Sequence, residues 1–244
     1  MRIERINLPT VDSTNTWVAQ NAARLEAPVV VTATEQSAGR GQRGNSWESE
    51  PGKNLTMTML WRPSEFRARR QFAISECVAL GCVDALRGFG IEARVKWPND
   101  IYVGDRKIAG ILIEHSVAGM NIEHTIIGLG LNVNQREFVS NAPNPVSMWQ
   151  LLGGETDVEQ VLDRVVDAIM TRLDRVADEE WSAAQHTEYH DRLWRIGALH
   201  GYALPDGTTF RGAIIGVDTD GFLTIVDPAA GPRRFAFKEV SFIL

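Results

Sequence analysis

The stretch KWPNDIYVGDRKIAG, residues 96–110, sets Lys96, Asp100 and Lys107 in a strand, a turn and a strand, where residues eleven apart can approach across a hairpin. Trp97-Pro98-Asn99-Asp100 is hard to explain as packing alone. A second stretch, AGRGQRGNSW at residues 38–47, places Gly39, Gly41 and Gly44 at G-x-G-x-x-G spacing with Arg40 and Arg43 among them. A dinucleotide-binding turn needs a helix starting within the glycines, since the helix N-terminus receives the pyrophosphate. Residues 45–54 contain Pro51 and Gly52 and have no helical period, so that turn is not what the spacing encodes. The arginines instead predict a loop that folds over a bound anion, with Trp47 closing over an apolar ligand. A solvated loop with incidental arginines is the plainer alternative.

The elements that must hold these stretches follow from periodicity. Alternation predicts a strand over residues 2–8, and Asp12, Ser13 and Thr14 offer caps for a helix through Leu25 that Pro28 stops. Residues 29–34 and 54–61 read as strands, the second with Leu55, Met57, Met59 and Trp61 on one face. Helical spacing runs over residues 66–89, ended by Gly88 and Gly90. Strand-like pieces follow at 93–96, at 101–103 paired with 107–114 around Gly104-Asp105, and at 123–133. Then come a mobile Asn/Pro-rich loop over 135–147, a short piece over 147–152, and helices over 158–176 and 181–194. Beyond about residue 197, short strands alternate with turns, which predicts a small barrel with a boundary near Arg195.

A chain of 244 residues that is 44% hydrophobic can bury a sizeable core. Its net charge of −6, with no basic run beyond Arg67-Ala68-Arg69-Arg70, disfavours a nucleic-acid partner. The first residues carry Arg2, Glu4 and Arg5 and no apolar stretch long enough for a signal peptide or membrane span. Cys77 and Cys82 read as buried structural thiols, and a reducing, cytoplasmic setting is expected. His186 and His190 have metal-pair spacing but no evident third ligand, so a solvated or core role is expected. Trp149, Trp181 and Trp194 are expected to pack helices and the barrel contact.

Ser13-Thr14-Asn15, EQSAGRGQRGNSW at 35–47, the 96–110 stretch and GLGLNVN at 128–134, in this order and at these separations, resemble the biotin protein ligase family over about residues 12–133. The resemblance implies an α+β fold: a mixed β-sheet with helices packed on one side, class II synthetase-like, over residues 1–195, then an SH3-like β-barrel over 196–244. It implies a ligase that converts biotin and ATP, with Mg²⁺, to biotinyl-5'-AMP. The acyl group then passes to one lysine of the biotin carboxyl carrier domain of a carboxylase.

The resemblance also implies roles for residues. Arg40 and Lys107 would neutralise the reacting anions, with Lys107 between biotin carboxylate and phosphate. Asp100 and Asn99 would position Mg²⁺, and Asp100 would accept the carrier lysine's proton. Ser13, Thr14, Asn15 and Gln36 match the polar set around the ureido ring, although Ser-Thr-Asn before a helix also reads as a plain N-cap. Gly39, Gly41, Gln42, Arg43, Trp47, Lys96 and Gly110 complete the ligand-binding set. Gly128 and Gly130 would let backbone approach the ligand, with a bulge or tight strand packing as the alternative. Asn132 matches a position near the nucleotide. The 39–54 loop would be a lid, and the 135–147 loop would order around adenine.

Family members carry Arg where this chain has Gln42, which leaves the loop one cation fewer. Many relatives also have an N-terminal helix-turn-helix and act as repressors. Here the first strand begins at Arg2, leaving no room for that module, so an enzyme without repressor function is expected, as a monomer or weak homodimer. Competing readings are a lipoate or octanoate ligase or transferase, and a non-catalytic sensor of biotin or its adenylate.

Overall fold

The computed structural model describes residues 3–42, 46–139 and 144–244. Strand β3 (Leu55–Trp61) is buried along its whole length, and the larger part of the fold is arranged around it. It lies in a seven-stranded sheet with β1 (Glu4–Val11), β2 (Val29–Gln36), β4 (Arg94–Lys96), β5 (Asp100–Val103), β6 (Arg106–Ala118) and β7 (Asn121–Leu131). The order is β1-β2-β3-β7-β6-β5-β4. β1 and β2 run parallel and the other neighbours antiparallel, so the sheet is mixed.

Two helices, α2 (Gln71–Arg87) and α4 (Val158–Leu173), lie on one face, where Ile74, Leu80, Val161 and Val165 join Val30, Met57, Met59 and Ile127 in one core. Gly81 lets these helices meet, because a Cβ there would stand 2.9 Å from Ile169 Cα. That close packing offsets the cost of glycine in a helix interior, about 1 kcal/mol relative to alanine. On the opposite face, α1 (Thr14–Asn21) packs Val18 against Val29, Val31, Leu60 and Ile126. Helices therefore cover both faces rather than the one expected. β2, with Val29, Val30 and Val31 in succession and divided between the two cores, has to be covered on both faces.

The chain continues through α3 (Met148–Leu152) and α5 (Glu179–Asp191). A second sheet follows, built from β8 (Leu199–Ala203), β9 (Thr209–Val217), β10 (Leu223–Asp227), β11 (Gly231–Phe235) and β12 (Ser241–Phe242). It is antiparallel throughout, in the order β11-β10-β9-β8-β12. Two indoles tie it and the segment leading into it to the β4–β6 end of the first sheet. Trp97 Nε1 donates to Gly221 O at 2.9 Å, and Trp194 Nε1 donates to Gly104 O at 2.9 Å. Among the described residues no helix is long and apolar enough to cross a membrane.

Candidate active site

The start of α1 shows what Ser-Thr-Asn does. Ser13 is extended at the N-cap position, yet its side chain makes no cap hydrogen bond. Thr14 instead donates from its backbone N and its Oγ1 to Gln36 Oε1, at 2.8 and 3.1 Å. That fixes the Gln36 amide oxygen at the end of β2. Asn15 is held on all sides: Thr58 Oγ1 donates to its Oδ1 at 2.7 Å, and its Nδ2 donates to Leu112 O at 3.3 Å and Glu114 Oε2 at 3.1 Å. Both amide hydrogens are thus committed to protein, so Asn15 frames the polar pocket and leaves Ser13, Thr14 and Gln36 to present donors and acceptors. Gly128 makes this possible, because a Cβ there would overlap the Asn15 carboxamide, with Cγ only 2.8 Å away.

The cation cluster comes from the β4–β5–β6 end of the sheet. The turn between β4 and β5 contains a cis Trp97-Pro98 bond and brings Lys96 opposite Asp100. Lys107 Nζ lies 2.6 Å from Asp100 Oδ1, and Lys96 Nζ lies 3.4 Å from Asp100 Oδ2. One carboxylate therefore spaces two ammonium groups. Lys96 sits 5.1 Å from the centres of both the Tyr102 and Phe242 rings. Burial pushes its ammonium below the ordinary lysine range, and Asp100 partly opposes this. Asn99 spends its Nδ2 on Ile111 O at 2.6 Å, which makes it a brace for β6.

Between the polar and cationic ends lies a cavity of about 260 Å³. From the glycine loop, Arg40, Gly41, Gln42, Ser46 and Trp47 line it. Trp47 N donates to Gly39 O at 2.9 Å, and the indole lies over Gly130, where a Cβ would stand 2.6 Å from Nε1. Trp47 Nε1 and Gln42 Oε1 are both buried without a hydrogen-bond partner. Such groups at a cavity wall are satisfied when a ligand supplies the partner. The 135–147 loop is pinned where it is described. Gln135 accepts from Glu50 N at 3.0 Å and donates to Glu48 Oε1 at 3.0 Å, which links it to the 39–54 loop. Lys107 N donates to Asn144 O at 2.8 Å and Val146 N to Lys107 O at 2.9 Å.

Of the predicted site residues, Ser13, Thr14, Asn15, Gln36, Arg40, Gly41, Gln42, Trp47, Lys96, Asn99, Asp100, Lys107, Gly110, Gly128 and Gly130 line this one cavity. Gly39 lies just behind it under the Trp47 backbone. Asn132 is outside the lining. Its Nδ2 donates to Val146 O at 3.0 Å and its buried Oδ1 has no partner. Arg43 lies outside the described residues. Sequence reasoning missed Met57, Leu129, Glu114 and Phe237. Glu114 carried a signal, an acid ending the apolar run Ile111-Leu112-Ile113. Phe237, in the lining from the second sheet, carried none.

The side readings also resolve. Cys77 and Cys82 are buried and their thiols are pushed up to about 12 by burial, so they are inert packing groups. His186 Nδ1 lies 2.5 Å from an oxygen of buried Glu76, and His190 Nε2 lies 2.5 Å from Val217 O and 3.1 Å from Val217 N. Both histidines serve the packing of α2, α5 and β9. Among the described residues no group of three or more His, Cys, Asp or Glu side chains is placed to hold a metal.

The fold is α+β, and its cavity is lined by hydroxyl and amide groups at one end, a lysine–carboxylate cluster at the other and apolar side chains between. The chain belongs to the biotin/lipoate A/B protein ligase family, which matches residues 8–132. A biotin–acetyl-CoA-carboxylase ligase of Paracoccus denitrificans is 31% identical over 242 residues, covering 96% of this chain and 99% of that protein. The bifunctional ligase/repressor BirA of Escherichia coli is 36% identical over 138 residues, covering 56% of this chain but only 43% of BirA. The solved biotin protein ligase of Aquifex aeolicus in complex with biotin and ATP superposes with a TM-score of 0.82 at 24% identity. The superposition covers 98% of each chain, a likeness of fold.

Proposed function

We propose that this protein is an ATP-dependent biotin protein ligase that forms biotinyl-5'-AMP and transfers biotin to a lysine of a carboxylase's carrier domain. The observation that carries this reading is the single cavity with Ser13, Thr14 and Gln36 at one end and Lys96, Asp100 and Lys107 at the other. A ureido ring is met by hydroxyl and amide groups, a thiolane and chain by Trp47, Met57 and Leu129, and a carboxylate by Lys107. In the first step a carboxylate oxygen bonds to the α-phosphorus and pyrophosphate leaves. Lys107 and Arg40 stabilise the charge shared by the two anions. Trp47 and the lid exclude water from the mixed anhydride. In the second step the carrier amine bonds to the acyl carbon, AMP leaves, and Asp100 takes the amine's proton.

Asp100 is the one carboxylate among the described lining residues, which suits Mg²⁺ arriving with the triphosphate as part of the substrate. Asn132, with its free Oδ1, belongs to the nucleotide end. The same proposal divides the chain into a catalytic unit at 1–195 and a C-terminal unit at 196–244 of SH3-like kind. It also includes a cytoplasmic monomer or weak homodimer that acts on neither nucleic acid nor membrane. The test is ATP–pyrophosphate exchange with biotin, lipoate or octanoate added singly. Exchange with biotin alone, reduced roughly 10²- to 10³-fold in Lys107→Ala, is expected. Exchange with another acid alone would overturn the substrate assignment, and no exchange with any would overturn the activity.

A further inference from the structure

We infer that Glu114 is a positioning residue that fixes the lid arginine against the floor of the pocket. Its carboxylate is divided between two parts of the site. Oε2 accepts from Asn15 Nδ2 at 3.1 Å, and Oε1 lies 3.1 Å from Arg40 NH2. Asn15 opens α1 and is locked by Thr58 and Leu112, whereas Arg40 belongs to the glycine loop. Glu114 is thus a rigid post on β6 to which the lid is moored.

The ion pair is not there for stability. The Arg40 and Glu114 side chains are 45% and 39% exposed, and pairs that open to water stabilise little. What the contact does is restrict the guanidinium. Arg40 NH1 also lies 3.5 Å from Thr16 Oγ1, so the fork is held along α1 with its remaining N–H groups available to an anion in the cavity it lines. A planar fork placed in advance loses less freedom when it meets a phosphate or carboxylate. Placing a carboxylate close to an anion subsite is otherwise unfavourable, and mooring the cation that neutralises the anion gives it a purpose.

This inference rests on Arg40 serving the adenylation step. Glu114→Gln keeps an oxygen for Asn15 but turns an amide nitrogen toward Arg40, so the pocket is preserved and the mooring is lost. The expected result in biotin-dependent ATP–pyrophosphate exchange is a KM for biotin within about twofold of wild type and a kcat lower by about tenfold to a hundredfold. The melting temperature should be unchanged. Glu114→Ala, which abandons Asn15 as well, should raise the KM for biotin in addition. In an Arg40→Ala background, Glu114→Gln should have no further effect on kcat. A wild-type kcat in Glu114→Gln, an equal kcat loss with and without Arg40, or identical KM and kcat profiles for the Gln and Ala variants would overturn it. Absence of exchange in the wild type would instead overturn the ligase reading itself.

Discussion

Gly128→Ala is expected to destabilise the protein through Asn15 rather than through any ligand. The added methyl would overlap the Asn15 carboxamide, so that side chain must leave a site where it makes three hydrogen bonds, to Thr58, Leu112 and Glu114. At about 1 kcal/mol net for each bond, the loss is about 3 kcal/mol. Alanine's smaller chain entropy in the unfolded state returns about 0.5 kcal/mol of this. For a chain of this size the remaining deficit lowers the melting temperature by roughly 5–10 °C. Urea unfolding and thermal melts of the ligand-free protein measure it directly, with an unchanged urea slope confirming that the folded state is still compact. Asn15→Ala removes the group that is struck, so adding Gly128→Ala in that background should cost less than about 0.5 kcal/mol. If Gly128 were bare only so that a ligand could approach, the single variant would melt like wild type and lose only biotin affinity. That result, or an equal cost in both backgrounds, would refute the argument.

Gly130→Ala should act on the lid. The methyl collides with the Trp47 indole, and losing about 1.5 kcal/mol of indole burial would shift the lid toward open about tenfold. Release of AMP from biotin and ATP without a carrier should rise accordingly, and an unchanged rate would argue against Trp47 as the seal. Asp100→Asn should slow transfer from preformed biotinyl-5'-AMP by about a hundredfold if Asp100 is the base, and normal transfer would leave it only the task of spacing Lys96 and Lys107. The Glu76 bond holds His186 protonated above its usual value of 6.5. The charged pair therefore stabilises the fold below about pH 6.5 only until Glu76, itself raised by burial, takes up a proton, and it is lost as pH rises through the higher folded value of His186. His186→Ala, which leaves Glu76 buried without its counter-charge, should cost up to about 3 kcal/mol and flatten that part of the melting-temperature profile. A profile that keeps its slope would assign the dependence elsewhere.

Residues 96–110 were legible because polar and charged groups stand where a β-hairpin would otherwise carry packing residues, and the hairpin register follows from Gly104-Asp105. The glycine loop was legible for a similar reason, since arginines and Trp47 interrupt a segment with no period of its own. Asn15 lies in the lining of the cavity, where its amide is also held by protein groups. Whether an amide faces ligand or protein depends on Thr58, Leu112 and Glu114, which approach from β3 and β6. The second-face position of α1 was hidden because the apolar run Val29-Val30-Val31 of β2 reads simply as a buried strand and does not show that its two faces serve different helices. Phe237 and Phe242 could not be found from local pattern, because their relation to Lys96 and Trp97 exists only after the second sheet docks.

That docking gives the two rings their place beside the site. Phe242 faces Lys96 and Phe237 meets Trp97 edge-on, with ring centres 6.3 Å apart. In chain order, all seven strands of the first sheet precede both phenylalanines. In the folded chain Phe242 covers one side of Lys96 and Phe237 supplies one wall of the cavity. The polar groups of the site and the rings that wall it thus come from different parts of the fold, so it is the docking of the second sheet that encloses the chemistry carried by the first.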